Sequence, residues 1–165
     1  MRICRWHWDY WGDPGVTALI GGPFTPEMVR ARLANEIAQM QEYGLQHWPV
    51  FLLDGNEHIG CAGLRPYRGE DRVHELGVHL RPGFWSRGLA NEAARTTIDY
   101  GFDTLGAEAL FAGHHPYNDA FRQLLMKLGF EEAIAERDTV RDEAPNTTAC
   151  VSTSFRTRMA TSCTW

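Results

Sequence analysis

No apolar run in this sequence approaches the roughly 20 residues that a membrane-spanning helix requires. The start is broken by Arg2, Arg5, His7 and Asp9, so it lacks the apolar stretch of a secretory leader. Both absences predict a cytoplasmic chain with no membrane partner. Surplus positive charge is missing too: 16 Lys and Arg stand against 21 Asp and Glu, a formal net charge of -5. Broad binding to a phosphate backbone needs clustered cations, so nucleic acid is not an expected partner. Cysteine is sparse and scattered, with Cys4, Cys61, Cys150 and Cys163 forming no Cys-x-x-Cys pair. Neither a zinc ribbon nor a disulfide framework is indicated. His114 and His115 have no third ligand at fixed spacing, so no metal is assigned.

What is present is the composition of a folded domain: 44% hydrophobic and 22% charged residues over 165 positions, with no repeat or low-complexity linker. A single domain over residues 1–165 is expected, with a divergent or shortened start over 1–20 and a frayed tail over 156–165. Thr25-Pro26-Glu27 reads as N-cap, first-position proline and acidic first turn. Val29, Leu33, Ile37 and Met40 follow at helical spacing, and Gly44 supplies a stop. Residues 50–53 and 58–62 flank Asp54-Gly55-Asn56, which predicts a β-hairpin. Cys61 on the second of these strands is expected to be an ordinary buried thiol. Residues 72–80 form a longer strand closed by Arg81-Pro82-Gly83. Residues 89–102 place Ala90, Ala94, Ile98 and Phe102 on one helical stripe, residues 109–112 make a short apolar strand, and residues 119–128 form another helix ended by Gly129. A closing strand is expected over 147–155. The alternation is that of an α/β or α+β domain.

The chemistry concentrates where the longer strand breaks and Trp85-Ser86-Arg87-Gly88-Leu89-Ala90 opens a helix. Free main-chain N–H groups at a helix N-terminus attract a bound phosphate, Gly88 lets the backbone come close, and Arg87 adds charge. The run from Glu75 to Ala93, together with His115-Pro116-Tyr117-Asn118 and the later Lys127-Leu128-Gly129-Phe130-Glu131, resembles the GNAT superfamily of N-acetyltransferases. The similarity is strongest to its branch of RimJ- and RimL-like ribosomal-protein N-terminal acetyltransferases, and it covers residues 21–131. It implies a mixed, mostly antiparallel splayed sheet with helices on both faces. It also implies acetyl-CoA as cosubstrate. Val78, His79 and Leu80 would then offer main-chain hydrogen bonds to the pantetheine arm as to an added strand, while Ser86, Arg87, Gly88, Leu89 and Ala90 hold the pyrophosphate, with Trp85 in the same cosubstrate site, and Asn118 sits beside the pantetheine or the thioester.

The reaction so implied is direct transfer of acetyl to a primary amine, with a main-chain N–H near Val78 steadying the carbonyl oxygen. Glu75 matches the glutamate of the ribosomal-protein branch and is the candidate base; His74, on the other face of the same strand, is second. The ordinary alternative for Glu75 is a salt-bridged strand residue. Leu125 stands where many of the family carry a tyrosine acid, and Phe121 where the branch often carries serine. The acceptor is expected to be a protein or peptide N-terminus. A small amine such as an aminoglycoside or amino acid is the alternative, and a non-catalytic acyl-CoA-binding module is the third. The chain is expected to act as a monomer or homodimer. Trp6, Trp8 and Trp11 are read as cover for the core rather than as an acceptor wall.

Overall fold

The computed structural model describes residues 5–18, 20–69, 72–115, 117–133 and 152–157. Among these, two short helices, α1 (Arg5–Trp11) and α2 (Pro14–Thr17), precede the long α3 (Pro26–Tyr43). No described strand comes before α3. The Thr25 hydroxyl accepts from the Met28 N–H, and Gly44 closes the helix at φ 70° with its N–H donating to the Met40 carbonyl. The strands β1 (His47–Phe51), β2 (His58–Pro66) and β3 (Val73–Leu80) follow as an antiparallel meander. The first turn uses positive φ at Gly55 and Asn56, as the Asp-Gly-Asn sequence predicts.

After β3 the chain passes through a short 3₁₀ turn into α4 (Leu89–Asp99), then β4 (Ala109–His114), α5 (Asp119–Lys127), β5 (Glu131–Ala133) and β6 (Ser152–Thr157). A π-helical turn, Tyr100–Thr104, extends α4. It fits because Gly101 passes so near Leu64 that a Cβ there would come within 3.0 Å of it. The six strands lie in the order β1-β2-β3-β4-β6-β5; every neighbouring pair is antiparallel except β3 with β4. This is the mixed, mostly antiparallel sheet expected from the sequence. Of the expected closing strand, residues 152–155 lie in β6, which runs on to Thr157; residues 147–151 and 158–165 lie outside the described residues.

Strand alternation sorts the side chains onto two faces. On one, Leu64, Leu76, Leu110 and Ala112 meet Ala94 and Ile98 of α4 and Leu125 of α5. On the other, Cys61 meets Tyr10 and Trp11 of α1 and Val29 of α3. Helices therefore cover both faces. α3 departs from its expected stripe: Val29 and Glu36 are buried, whereas Ile37 and Met40 lie exposed. The physical reason is the sheet beneath it, which presents His47 toward this helix. A polar inward line of Arg32 and Glu36 answers that surface, with the Arg32 guanidinium 3.8 Å from the centre of the Trp11 ring. Trp11 is core, as expected, while Trp8 is exposed and the Trp6 side chain lies outside the described residues.

Candidate active site

The parallel pairing of β3 with β4 is brief. It runs through Val73 with Ala109, His74 with Leu110, and Glu75 with Phe111, and there it ends. β3 stays paired with β2 as far as Leu80, and β4 stays paired with β6 as far as His114. The sheet thus opens along one line, and residues 76–80 of β3 face residues 112–114 of β4 across a split. The Arg81 N–H donates to the Ile59 carbonyl at 2.8 Å. By strand alternation the main-chain groups of His79 also turn toward β2, while those of Val78 and Leu80 turn into the split. The His79 carbonyl accepts from the Tyr10 hydroxyl at 2.5 Å, and the Leu80 carbonyl accepts from the Trp85 indole N–H at 2.8 Å. The N–H and C=O of Val78 and the N–H of Leu80 are therefore the main-chain groups that face the split.

At the mouth of the split the Trp85 bond fixes the turn that leads into α4. Ser86 and Gly88 both take positive φ, 58° and 82°. Gly88 is the N-cap residue of α4 and makes no side-chain cap, so the first helical N–H groups look outward. A Cβ at Gly88 would meet nothing within 4 Å, so the surroundings of this residue are open. Arg87 lies over the Phe84 ring at 5.2 Å, on the same turn. Together these features place a helix N-terminus and an arginine beside the edge of β3 that β4 no longer pairs.

The face of β3 opposite α4 carries Glu75, Gly77 and His79. Glu75 accepts from Arg65 of β2 through both oxygens, at 2.6 and 2.8 Å. Gly77 is small for a reason: a Cβ there would lie 2.3 Å from Nε2 of His47, whose ring lies over the strand at this point. Nδ1 of His47 is 3.8 Å from Glu36, which also lies 3.3 Å from Arg32. His79 sits with its ring 5.9 Å from that of His47 and 5.6 Å from that of Trp11. Burial, helped by the charges of Arg32 and Arg65, lowers the His79 imidazole to about 3. Burial likewise holds His47 well below the usual histidine range, with His79, Arg32 and Arg65 adding to the effect. Both rings are neutral at pH 7. Burial raises the Glu36 carboxyl against the opposing pull of Arg32. Cys61, buried beside Tyr10, is pushed up to about 12, which leaves it a thiol.

The structure brings Glu75, Val78, Leu80 and the Trp85-to-Ala90 turn to one split, and places His74 on the α4 face, away from Glu75. Asn118 is the N-cap of α5: its side-chain oxygen accepts from the Phe121 N–H at 3.2 Å, at the far end of β4 from the β3 pairing. Leu125 is fully buried among the α4 and α5 side chains. Arg32, Glu36, His47 and Arg65 were missed from sequence. The one available signal was the glycines that lie against His47, Gly63 and Gly77.

Residues 4–131 match the model of the acetyltransferase (GNAT) domain family. The uncharacterized N-acetyltransferase p20 of Bacillus licheniformis is 31% identical over 135 residues, covering 79% of this chain and 74% of that protein. Among solved structures, the spermidine N-acetyltransferase of Vibrio cholerae, in complex with CoA and spermine, superposes with a TM-score of 0.75 at 15% identity, covering 93% of this chain and 88% of that one. The ribosomal-protein-S5-alanine acetyltransferase of Vibrio fischeri superposes with a TM-score of 0.72 at 16% identity, covering 92% and 87%. At these identities the structural likeness speaks for the fold.

Proposed function

The chain belongs to the acetyltransferase (GNAT) family and is an acetyl-CoA-dependent N-acetyltransferase, and from that premise we propose that its acceptor is a primary amine entering on the α1/α3 face of the split. The observation that carries the reading is the split that opens where β3–β4 pairing ends at Glu75 and Phe111, with the glycine-capped start of α4 following its other end, past Leu80. The residues fit the cosubstrate. Val78 and Leu80 present main-chain groups to a pantetheine arm, and the turn from Ser86 to Ala90 presents N–H groups, with Arg87 beside them, to a pyrophosphate. The bound cosubstrate supplies an activated acetyl thioester. Asn118, whose oxygen is engaged in capping, has its amide N–H groups to offer.

Glu75 is the group we assign to the amine. Its carboxylate lies on the acceptor face at the point where the strands part, and it takes the proton that an ammonium must lose before its nitrogen can attack. Arg65 holds it in place until an acceptor arrives. His74 faces α4 and is assigned no contact with the acceptor. With Leu125 buried, no side-chain acid is assigned to the departing sulfur; a thiol of pKa about 8.5 leaves as thiolate at neutral pH at a cost of only about 2 kcal/mol.

The resemblance of residues 75–93 to the RimJ/RimL-like branch supports a protein or peptide N-terminus as acceptor. The Arg65–Glu75 pair, an intact charge pair at the mouth of the acceptor face, supports a small amine instead. We place the reaction in the cytoplasm. The test is release of free thiol from acetyl-CoA with a panel of peptides and small amines, followed by mass analysis of the acetylated product. Tight acetyl-CoA binding with no thiol release from any amine would leave a binding module and refute the enzyme reading of this site.

A further inference from the structure

Among the described residues beneath α3, Arg32 lies beside Glu36 and Arg65 beside Glu75, and the two histidines between them, His47 and His79, are neutral. Arg65 and Glu75 form a bidentate guanidinium–carboxylate pair, whose side chains are 47% and 19% exposed. The pair is a cation and an anion held side by side at hydrogen-bond distance, facing the start of the split. A molecule carrying an ammonium and a carboxylate on neighbouring atoms presents the same two charges in reverse.

We infer that the acceptor is an α-amino acid or a close zwitterionic analogue, whose carboxylate takes the Arg65 fork while its ammonium takes Glu75. This rests on the acetyltransferase reading above. Exchange of partners keeps every charge paired at each stage, so no ion is left stranded when the substrate enters. The fork geometry of arginine suits a planar carboxylate, and releasing Glu75 from Arg65 frees it at the moment the ammonium arrives. The step then balances. The ammonium gives one proton to Glu75, from which it passes to solvent. The nitrogen lone pair forms the C–N bond as the thioester C–S bond breaks, and the nitrogen's second proton goes to the departing sulfur.

The experiment compares kcat/KM for the proteinogenic amino acids, for the same compounds as carboxamides, for the corresponding decarboxylated amines, and for peptides with matching first residues, alongside calorimetry of acetyl-CoA. We expect at least one free amino acid to be acetylated roughly 10²-fold more efficiently than its carboxamide or decarboxylated amine. Arg65→Met should remove that preference while leaving acetyl-CoA binding as in the parent, and Arg65→Lys, which keeps the charge without the fork, should restore part of it. Carboxamides and plain amines used as well as the amino acids would overturn the proposal. So would acetylation of peptides alone, which points to an N-terminal acceptor. If acetyl-CoA binds but no amino acid releases thiol, the substrate class is refuted and the cosubstrate site stands; if acetyl-CoA does not bind, the reading beneath it fails.

Discussion

Acidification should destabilise this protein over a range where most domains are still near their best. Several histidines are packed beneath α1 and α3, and the fold keeps them neutral. His7 is only 2% exposed and is lowered to about 4, chiefly by burial and then by the Arg32 charge. His47 is 9% exposed and is held well below the usual histidine range for the same main reason. In the unfolded chain both titrate near 6.5, so below that pH the unfolded state binds protons that the folded state refuses. Their contribution is fully present above about pH 6.5 and is lost as pH falls toward the folded values. At pH 5 the His7 ring alone costs about 2 kcal/mol relative to neutral pH, against a typical total stability of about 5–15 kcal/mol, and His47 acts in the same direction. His79, lowered to about 3, adds to the loss. Glu36 works the other way: raised by burial, it takes up a proton in the fold more readily than in the unfolded chain, and acidification through its range returns part of the stability. Urea unfolding at a series of pH values between 7.5 and 5 gives the test. We expect stability to fall by several kcal/mol and unfolding near pH 5.5 to take up protons, fewer of them in His47→Gln than in the parent. A free energy flat to within about 1 kcal/mol over this range would show that the histidines are protonated inside the fold.

Four further outcomes bear on the site. Gly88→Val forces a β-branched side chain into φ 82° at the α4 N-cap, next to the helix N–H groups, so calorimetry should show acetyl-CoA affinity down by at least about 10²-fold, with a milder loss for Arg87→Ala. Gly77→Ala puts a Cβ 2.3 Å from His47 Nε2; we expect a destabilisation of about 1–3 kcal/mol by thermal melt, with kcat falling more than acetyl-CoA affinity. Glu75→Gln should lower kcat by roughly 10²-fold near pH 7, the deficit shrinking at high pH where more amine is already unprotonated, and a deficit independent of pH would mark Glu75 as structural. Because Leu125 fills a buried site in the core, the pH–rate profile should reach a plateau without a tyrosine-like fall on the alkaline side, and a steep alkaline limb with intact protein and cosubstrate would reveal another acid.

The sequence alone determined the elements whose cause is local. Thr25-Pro26 and Gly44 bound α3, Asp54-Gly55-Asn56 turns β1 into β2, and Pro82-Gly83 ends the third strand, because caps, prolines and positive-φ turns act within a few residues of themselves. The proposed cosubstrate half was legible for the same reason: it lies on a strand, a turn and a helix start in one continuous run from Val78 to Ala90. The acceptor half was not, since it is assembled from β1, β2, β3 and α3, whose residues lie far apart in the chain. That Glu75 is held by Arg65 rather than standing alone depends on the antiparallel register that places them opposite one another. That Gly77 exists to admit His47 depends on a ring two strands away. α3 shows the limit most plainly: its periodicity pointed to Ile37 and Met40, but a helix buries whatever matches the surface it meets, and this surface carries histidines and an arginine, so Glu36 went inside.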